Sequence, residues 1–237
     1  MIRGLGWMAL AGIGVGAGFL SLAFALGGHE LDDLRLDLSL GSSCEGSAPA
    51  SSDQRERRLA WEDGDSLELS LPGTVYFRGG QGGDVTVRGP GDLVDHVEIK
   101  HGRLTLHCRS RGRTRDLEVT LPGRAFRSIR IAGSGKLVMK NVDQPELALS
   151  IAGSGTIHAQ GKVDRATVKV AGSGDARLGE LAAKQITIDI SGSGTVEARP
   201  KDSADIRISG SGDVRLLERP ADLRSKISGS GRVTGVP

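Results

Sequence analysis

The stretch Ile190-Ser191-Gly192-Ser193-Gly194-Thr195-Val196 decides the fold, because it recurs with small changes along the C-terminal half of the chain. Six phased copies carry Gly-Ser-Gly preceded by Ala or Ser: Gly133-Ser134-Gly135, Gly153-Ser154-Gly155, Gly172-Ser173-Gly174, Gly192-Ser193-Gly194, Gly210-Ser211-Gly212 and Gly229-Ser230-Gly231. Their first glycines lie 20, 19, 20, 18 and 19 residues apart. A sustained period of this length is the signature of a solenoid, in which each unit buries its apolar face only against its neighbours.

Around the glycines the residues alternate. Two positions before the first glycine stand Ile131, Ile151, Val170, Ile190, Ile208 and Ile227; three before it stand Arg130, Ser150, Lys169, Asp189, Arg207 and Lys226. After the corner, Leu137, Ile157, Ala176, Val196, Val214 and Val233 form one apolar column, and Met139, Ala159, Leu178, Ala198 and Leu216 a second. Lys136, Thr156, Asp175, Thr195 and Asp213 occupy the flanking outward polar column. Period two is the pattern of a strand with one buried face. Each unit is therefore expected to run strand, Gly-Ser-Gly corner, strand and looser return, in an all-β parallel β-helix of coils about 19–20 residues long, stacked at the ~4.8 Å inter-strand spacing. The glycines suit a tight corner. The serines are expected to form a hydroxyl column that hydrogen-bonds the corner backbone, so these eighteen residues are assigned a structural role.

Composition agrees with narrow coils: the 237 residues include 36 glycines, while aromatics make up 3%. The net charge of +2 gives no support for nucleic-acid binding.

Residues 5–26 are uncharged, and at about 1.5 Å per helical residue they are long enough to cross a bilayer. Arg3 precedes them, and Glu30, Asp32 and Asp33 follow. We expect residues 1–26 to be an N-terminal transmembrane helix with the remaining chain on the periplasmic or extracellular side. A cleaved signal peptide, with Ala23-Phe24-Ala25 at the cleavage site, is the competing reading and leaves the protein secreted to the periplasm. Residues 27–65, rich in Ser, Asp and Glu, read as a flexible spacer, with Trp61 capping the folded part. Residues 66–127 keep strand alternation without the Gly-Ser-Gly signature, and read as irregular first coils or a cap continuous with the regular repeats of 128–237. Within them Leu67 to Gly73 is echoed by Leu117 to Gly123.

Candidate chemistry is sparse. Cys44 and Cys108 are a possible disulfide in an oxidising compartment. Arg109, Arg111, Arg113 and Arg115 alternate, and in an extended segment would form a basic stripe able to hold an anionic ligand. Asp175 and Asp213 follow Gly-Ser-Gly, but the calcium β-roll needs a nine-residue period, so no metal site is assigned. His158 is the only histidine in the repeats, so the corner serines have no recurrent base, and no catalytic residue or cofactor is assigned. Asp175, Asp189, Glu197, Asp213 and Glu218 read as members of charge-compensated surface ladders. A carboxylate pair across a cleft would instead mark a polysaccharide lyase or hydrolase, the alternative class.

The repeated Ile-x-Gly-Ser-Gly, as in Ile208-Ser209-Gly210-Ser211-Gly212, together with Leu121-Pro122-Gly123 before the first repeat, resembles the auto-transporter adhesin head GIN domain family of bacterial envelope proteins. The resemblance covers residues 115–237, and more loosely 60–114. It implies a right-handed parallel β-helix, export to the cell envelope and no established enzymatic activity. The expected role is adhesin-like or scaffolding: contact with an envelope glycan, an envelope protein or another copy of the chain.

Overall fold

Alternation in sequence becomes alternation of burial. The computed structural model describes residues 54–61, 64–79, 83–108, 117–123 and 125–235. These fall within one compact unit, Gly41–Pro237, and form an all-β solenoid of about five turns. The irregular part holds β1 (Gln54–Leu59), β2 (Ser66–Ser70), β3 (Thr74–Arg78), β4 (Val85–Pro90), the short helix α1 (Gly91–Val94), β5 (Val97–Lys100), β6 (Arg103–Leu106) and β7 (Glu118–Leu121). The regular part holds β8 (Ser128–Gly133), β9 (Lys136–Gly153), β10 (Thr156–Gly172), β11 (Asp175–Gly192), β12 (Thr195–Gly210), β13 (Asp213–Leu216), β14 (Asp222–Gly229) and β15 (Arg232–Gly235).

Strands β9 to β12 pair in parallel with their successors, so that Ser150, Lys169, Asp189 and Arg207 share one outward row. Both apolar columns read from the sequence face the core: Ile131, Ile151, Val170, Ile190 and Ile208 are buried, as are Leu137, Ile157, Ala176, Val196 and Val214. The final coil differs. Ile227 is 41% and Leu223 47% exposed, because no described strand covers β14 on the side away from β12.

The corners depart from expectation in one respect. All six serines are exposed, and their hydroxyls make no hydrogen bond among the described residues. The serine backbone carries the corner instead: Ser173 N–H donates to the Gly153 carbonyl (3.0 Å) and Ser193 N–H to that of Gly172 (2.9 Å). The two glycines have separate jobs. The first of each motif has φ between 112° and 131°, a region that L side chains avoid. The second is buried in the first five motifs. A Cβ on Gly174 would stand 2.5 Å from Ile151 Cγ2 and 2.7 Å from the Gly155 carbonyl oxygen of the preceding coil.

The irregular part is stacked out of chain order. β2 pairs with β8, and β3 with β9, so residues 66–78 form the coil directly beneath the first Gly-Ser-Gly repeat. Gly73 is its corner: φ is 116°, and Lys136 N–H donates to its carbonyl at 2.9 Å. The chain then builds the far side of that coil, where β7 pairs with β3 and β6 with β2. The echo between Leu67–Gly73 and Leu117–Gly123 is therefore not one of equivalent positions. β2 lies before the corner, whereas β7 stacks on β3 after it. Antiparallel pairs β1–β4, β4–β7 and β5–β6 close this end.

β1 also corrects the expected spacer boundary, because order begins before residue 66. Its QRERRL sequence hides the strand: the first five side chains are exposed, and charges on an edge strand oppose pairing with further chains. Trp61 does pack onto the domain, edge-on to Phe126 at 5.3 Å. Residues 5–26 lie outside the described residues; among the described residues no helix is long and apolar enough to cross a membrane.

Gly172→Ala and Gly174→Ala should each lower the unfolding free energy by about 1–3 kcal/mol, through backbone strain and overpacking respectively. Ser173→Ala should change it by less than about 0.5 kcal/mol. Urea denaturation checks this; an equal loss with Ser173→Ala would return the corner to the hydroxyl.

Candidate functional site

Unequal repeat spacing has a physical location. The coils differ in length mainly just after the second apolar column, with a smaller offset in the return, where Ala183 pairs with Pro200 but Gln185 with Ser203. Opposite Ala159-Gln160-Gly161, β9 carries an additional residue, with Asn141 at φ 56°. The larger irregularity is in β11, where Leu178 pairs with Ala198 but the next pair is Ala182 with Arg199. Gly179, Glu180 and Leu181 thus bulge from the ladder with no partner in β12. Bulges re-aim side chains and interrupt an otherwise regular surface.

Here the outward row Val138, His158, Arg177 and Glu197 meets the bulge to form a groove of about 420 Å³. Val138 and Leu217 give it apolar surface, while Lys140, His158, Gln160, Arg177, Glu180 and Glu197 supply polar groups. A Cβ on Gly179 would lie 2.5 Å from Glu197 Oε1 and 2.6 Å from Leu217 Cδ1, so those two side-chain ends would have to move aside. Burial, aided by the charges of Arg177 and Lys136, holds the His158 imidazole below its usual range; Glu180 and Glu197 oppose this.

A second groove, of about 560 Å³, crosses the return segments of successive coils from Asp143 to Glu218. Pro145, Val163, Ala182 and Ala183 line it between charged side chains. Its ions are paired from coil to coil: Lys162–Asp143 at 3.1 Å, Lys184–Asp164 at 2.7 Å and Arg199–Glu218 at 3.4 Å. The Lys184 hydrogen bond holds the Asp164 carboxyl below its usual range, and the same contact raises Lys184. At the capped end, the Lys100 hydrogen bond lowers Glu98 despite some desolvation, and His107 lies 2.6 Å from the same carboxylate.

The acidic residues singled out in sequence are mostly in such ladders. Asp189 meets Arg207 at 3.6 Å, Glu197 meets Arg215 at 3.9 Å and Asp213 meets Arg232 at 3.4 Å. No group of three or more His, Cys, Asp or Glu suited to a metal occurs among the described residues. Arg109, Arg111, Arg113 and Arg115 lie outside the described residues, as does Cys44. Cys108 packs against the core and is disulfide-bonded. Sequence reasoning noticed His158 but missed Gln160, Gly179 and Glu180 around it. The available signal was the change in repeat length at this edge.

The lowered His158 pKa fixes the sign of a pH effect. As pH falls below about 6.5, the unfolded chain takes up this proton before the folded one. His158 therefore leaves stability undiminished above that pH and reduces it below, until the folded imidazole is protonated too. NMR titration should place its midpoint below the ordinary histidine value, and His158→Gln should lessen the stability lost between about pH 7 and pH 5. A midpoint at or above that ordinary value would contradict the burial effect.

Three solved structures share the architecture. A putative adhesin from Bacteroides fragilis is 16% identical, covering 79% of this chain and 99% of its own, with a TM-score of 0.64. A putative adhesin from Parabacteroides distasonis is 17% identical over 79% and 98%, with a TM-score of 0.51. A putative lipid binding protein from the same organism is 20% identical over 79% and 98%, with a TM-score of 0.49. At these identities the likeness concerns the fold. No curated protein matches the chain. Residues 65–220 match the family described as "Putative auto-transporter adhesin, head GIN domain", spanning the capped end and the regular coils alike. The chain belongs to that family.

Proposed function

We propose that the protein is an exported, non-enzymatic component of the bacterial cell envelope, in which a right-handed β-helix serves as a rigid adhesin-like or scaffolding surface. The observation that carries this reading is the groove crossing successive coils from Asp143 to Glu218. Stacking gives it a fixed geometry along the solenoid, and charged side chains flank its apolar lining. Such a groove suits lateral contact with an extended envelope glycan or protein. The two carboxyls with lowered pKa, Glu98 and Asp164, are held ionised by cations; a catalytic general acid needs the opposite shift.

Residues 5–26 would anchor the domain to the membrane, with residues 27–53 as the tether, and Cys44 is the proposed disulfide partner of Cys108. A disulfide at Cys108 fits an oxidising compartment outside the cytoplasm. Arg109, Arg111, Arg113 and Arg115 extend the polar surface as a proposed anionic contact beside that bond.

Two measurements test this reading. The full chain recovered from cells should fractionate with membranes, resist thiol alkylation until reduced, and expose Cys108 to alkylation in the Cys44→Ser variant; a cytosolic chain with free thiols would contradict it. Beads carrying the full chain should retain purified envelope fragments. Lys162→Glu combined with Lys184→Glu should weaken retention severalfold while leaving the melting transition in place. Unchanged retention would remove the crossing groove from the contact.

A further inference from the structure

The bulge groove differs from the crossing groove in how its polar groups are used. Across the return segments, cations and carboxylates pair with one another. The side chains of Lys140, His158, Gln160, Arg177 and Glu180 have no hydrogen bond or ion pair to other protein groups among the described residues, and that of Glu197 has only the 3.9 Å contact to Arg215. Yet they converge on one groove beside the half-buried Val138 and Leu217. Its location is also structurally specific: the three-residue bulge of β11 brings Glu180 there, and the absence of a side chain at Gly179 leaves room for the Glu197 carboxylate.

We propose that this groove binds a neutral saccharide, a mono- or disaccharide unit of a glycan. Lys140 and Arg177 balance Glu180 and Glu197, so a ligand of either net charge would meet repulsion as well as attraction. A sugar hydroxyl both donates and accepts: it donates to the two carboxylates and accepts from Lys140 and Arg177, while Gln160 does either. The C–H face of a pyranose ring covers Val138 and Leu217. At about 420 Å³ the groove falls within the range of small-ligand sites. This assignment deepens the reading of the chain as a binding module by naming a ligand class and a site distinct from the crossing groove.

The test uses the full chain in a sugar-free detergent, with lactose, maltose, cellobiose and N,N′-diacetylchitobiose as probes. Saturation-transfer NMR should show saturable, millimolar binding of at least one. Glu180→Gln and Glu197→Gln should each weaken it about tenfold, as expected for losing hydrogen bonds to a charged group. Gly179→Ala, whose methyl displaces the Glu197 carboxylate, should weaken it as well, whereas Arg207→Ala on another row should not. No transfer to any of the four sugars at tens of millimolar, or transfer unaffected by all three groove variants, overturns the proposal. Binding of a neutral hexapeptide at this groove in place of the sugars overturns it too. Following the disaccharides' anomeric signals separates this site from the broader reading: cleavage would defeat non-enzymatic function while leaving the site, whereas absent sugar binding would leave the adhesive surface untouched.

Discussion

Close contact between backbones at the Gly-Ser-Gly corner is the constraint on which the solenoid depends. Each turn must reverse direction within a few residues and still stack at strand spacing on the turn below. The first glycine supplies the positive φ, and the second admits an aliphatic side chain of the preceding coil where a Cβ would collide. With both satisfied, the serine N–H reaches the preceding glycine carbonyl and the apolar columns align. Burial then supplies most of the stabilisation, because fully burying an aliphatic side chain contributes about 1.5–3 kcal/mol and each coil contributes several.

A tight corner leaves length variation to be absorbed elsewhere. The strands entering the corners keep strict register, Lys169 against Asp189 and Asp189 against Arg207. Additional residues instead emerge on the edge holding Asn141 and Gly179 to Leu181. This divides the surface into rows set by stacking and an edge that absorbs most of the length change, the return at Pro200 to Ser203 taking a smaller part. The bulge groove occupies that edge, where local geometry differs without disturbing the core columns beneath it.

The regular coils were legible because their signal is local: apolar residues at Ile190 and Val196 flank the same short corner in every repeat. Burial followed that pattern wherever another coil covered it, and failed at Ile227, where none of the described strands does. The capped end was less legible, since its pairing is non-local. Nothing near Leu71-Pro72-Gly73 says that it will stack beneath Gly133, across an intervening segment of several strands. β1 was concealed by edge-strand charges that obscure the apolar alternation. The serines misled because repetition was taken to mean burial, whereas only their backbones are constrained. The candidate groove was half visible: His158 stood out by residue type, but Glu180 joins it through a bulge that only the 20-residue repeat length announced.

The ion pairs have a different task from the core. Exposed pairs contribute little to stability, since screening and side-chain entropy offset their attraction. Their arrangement is nevertheless polar along the solenoid: Asp143, Glu146, Asp164 and Asp189 each pair with a cation one coil later, Lys162, Arg165, Lys184 and Arg207. Aliphatic columns of similar volume discriminate poorly between neighbouring alignments along a strand. A two-residue slip would preserve the inward face while separating these acids from their bases. The pairs thus select the register in which the glycine corners coincide, and the corners in turn permit the burial that stabilises it. The groups around Glu180 contribute neither to burial nor to this ladder, and the proposed saccharide accounts for their convergence on one groove.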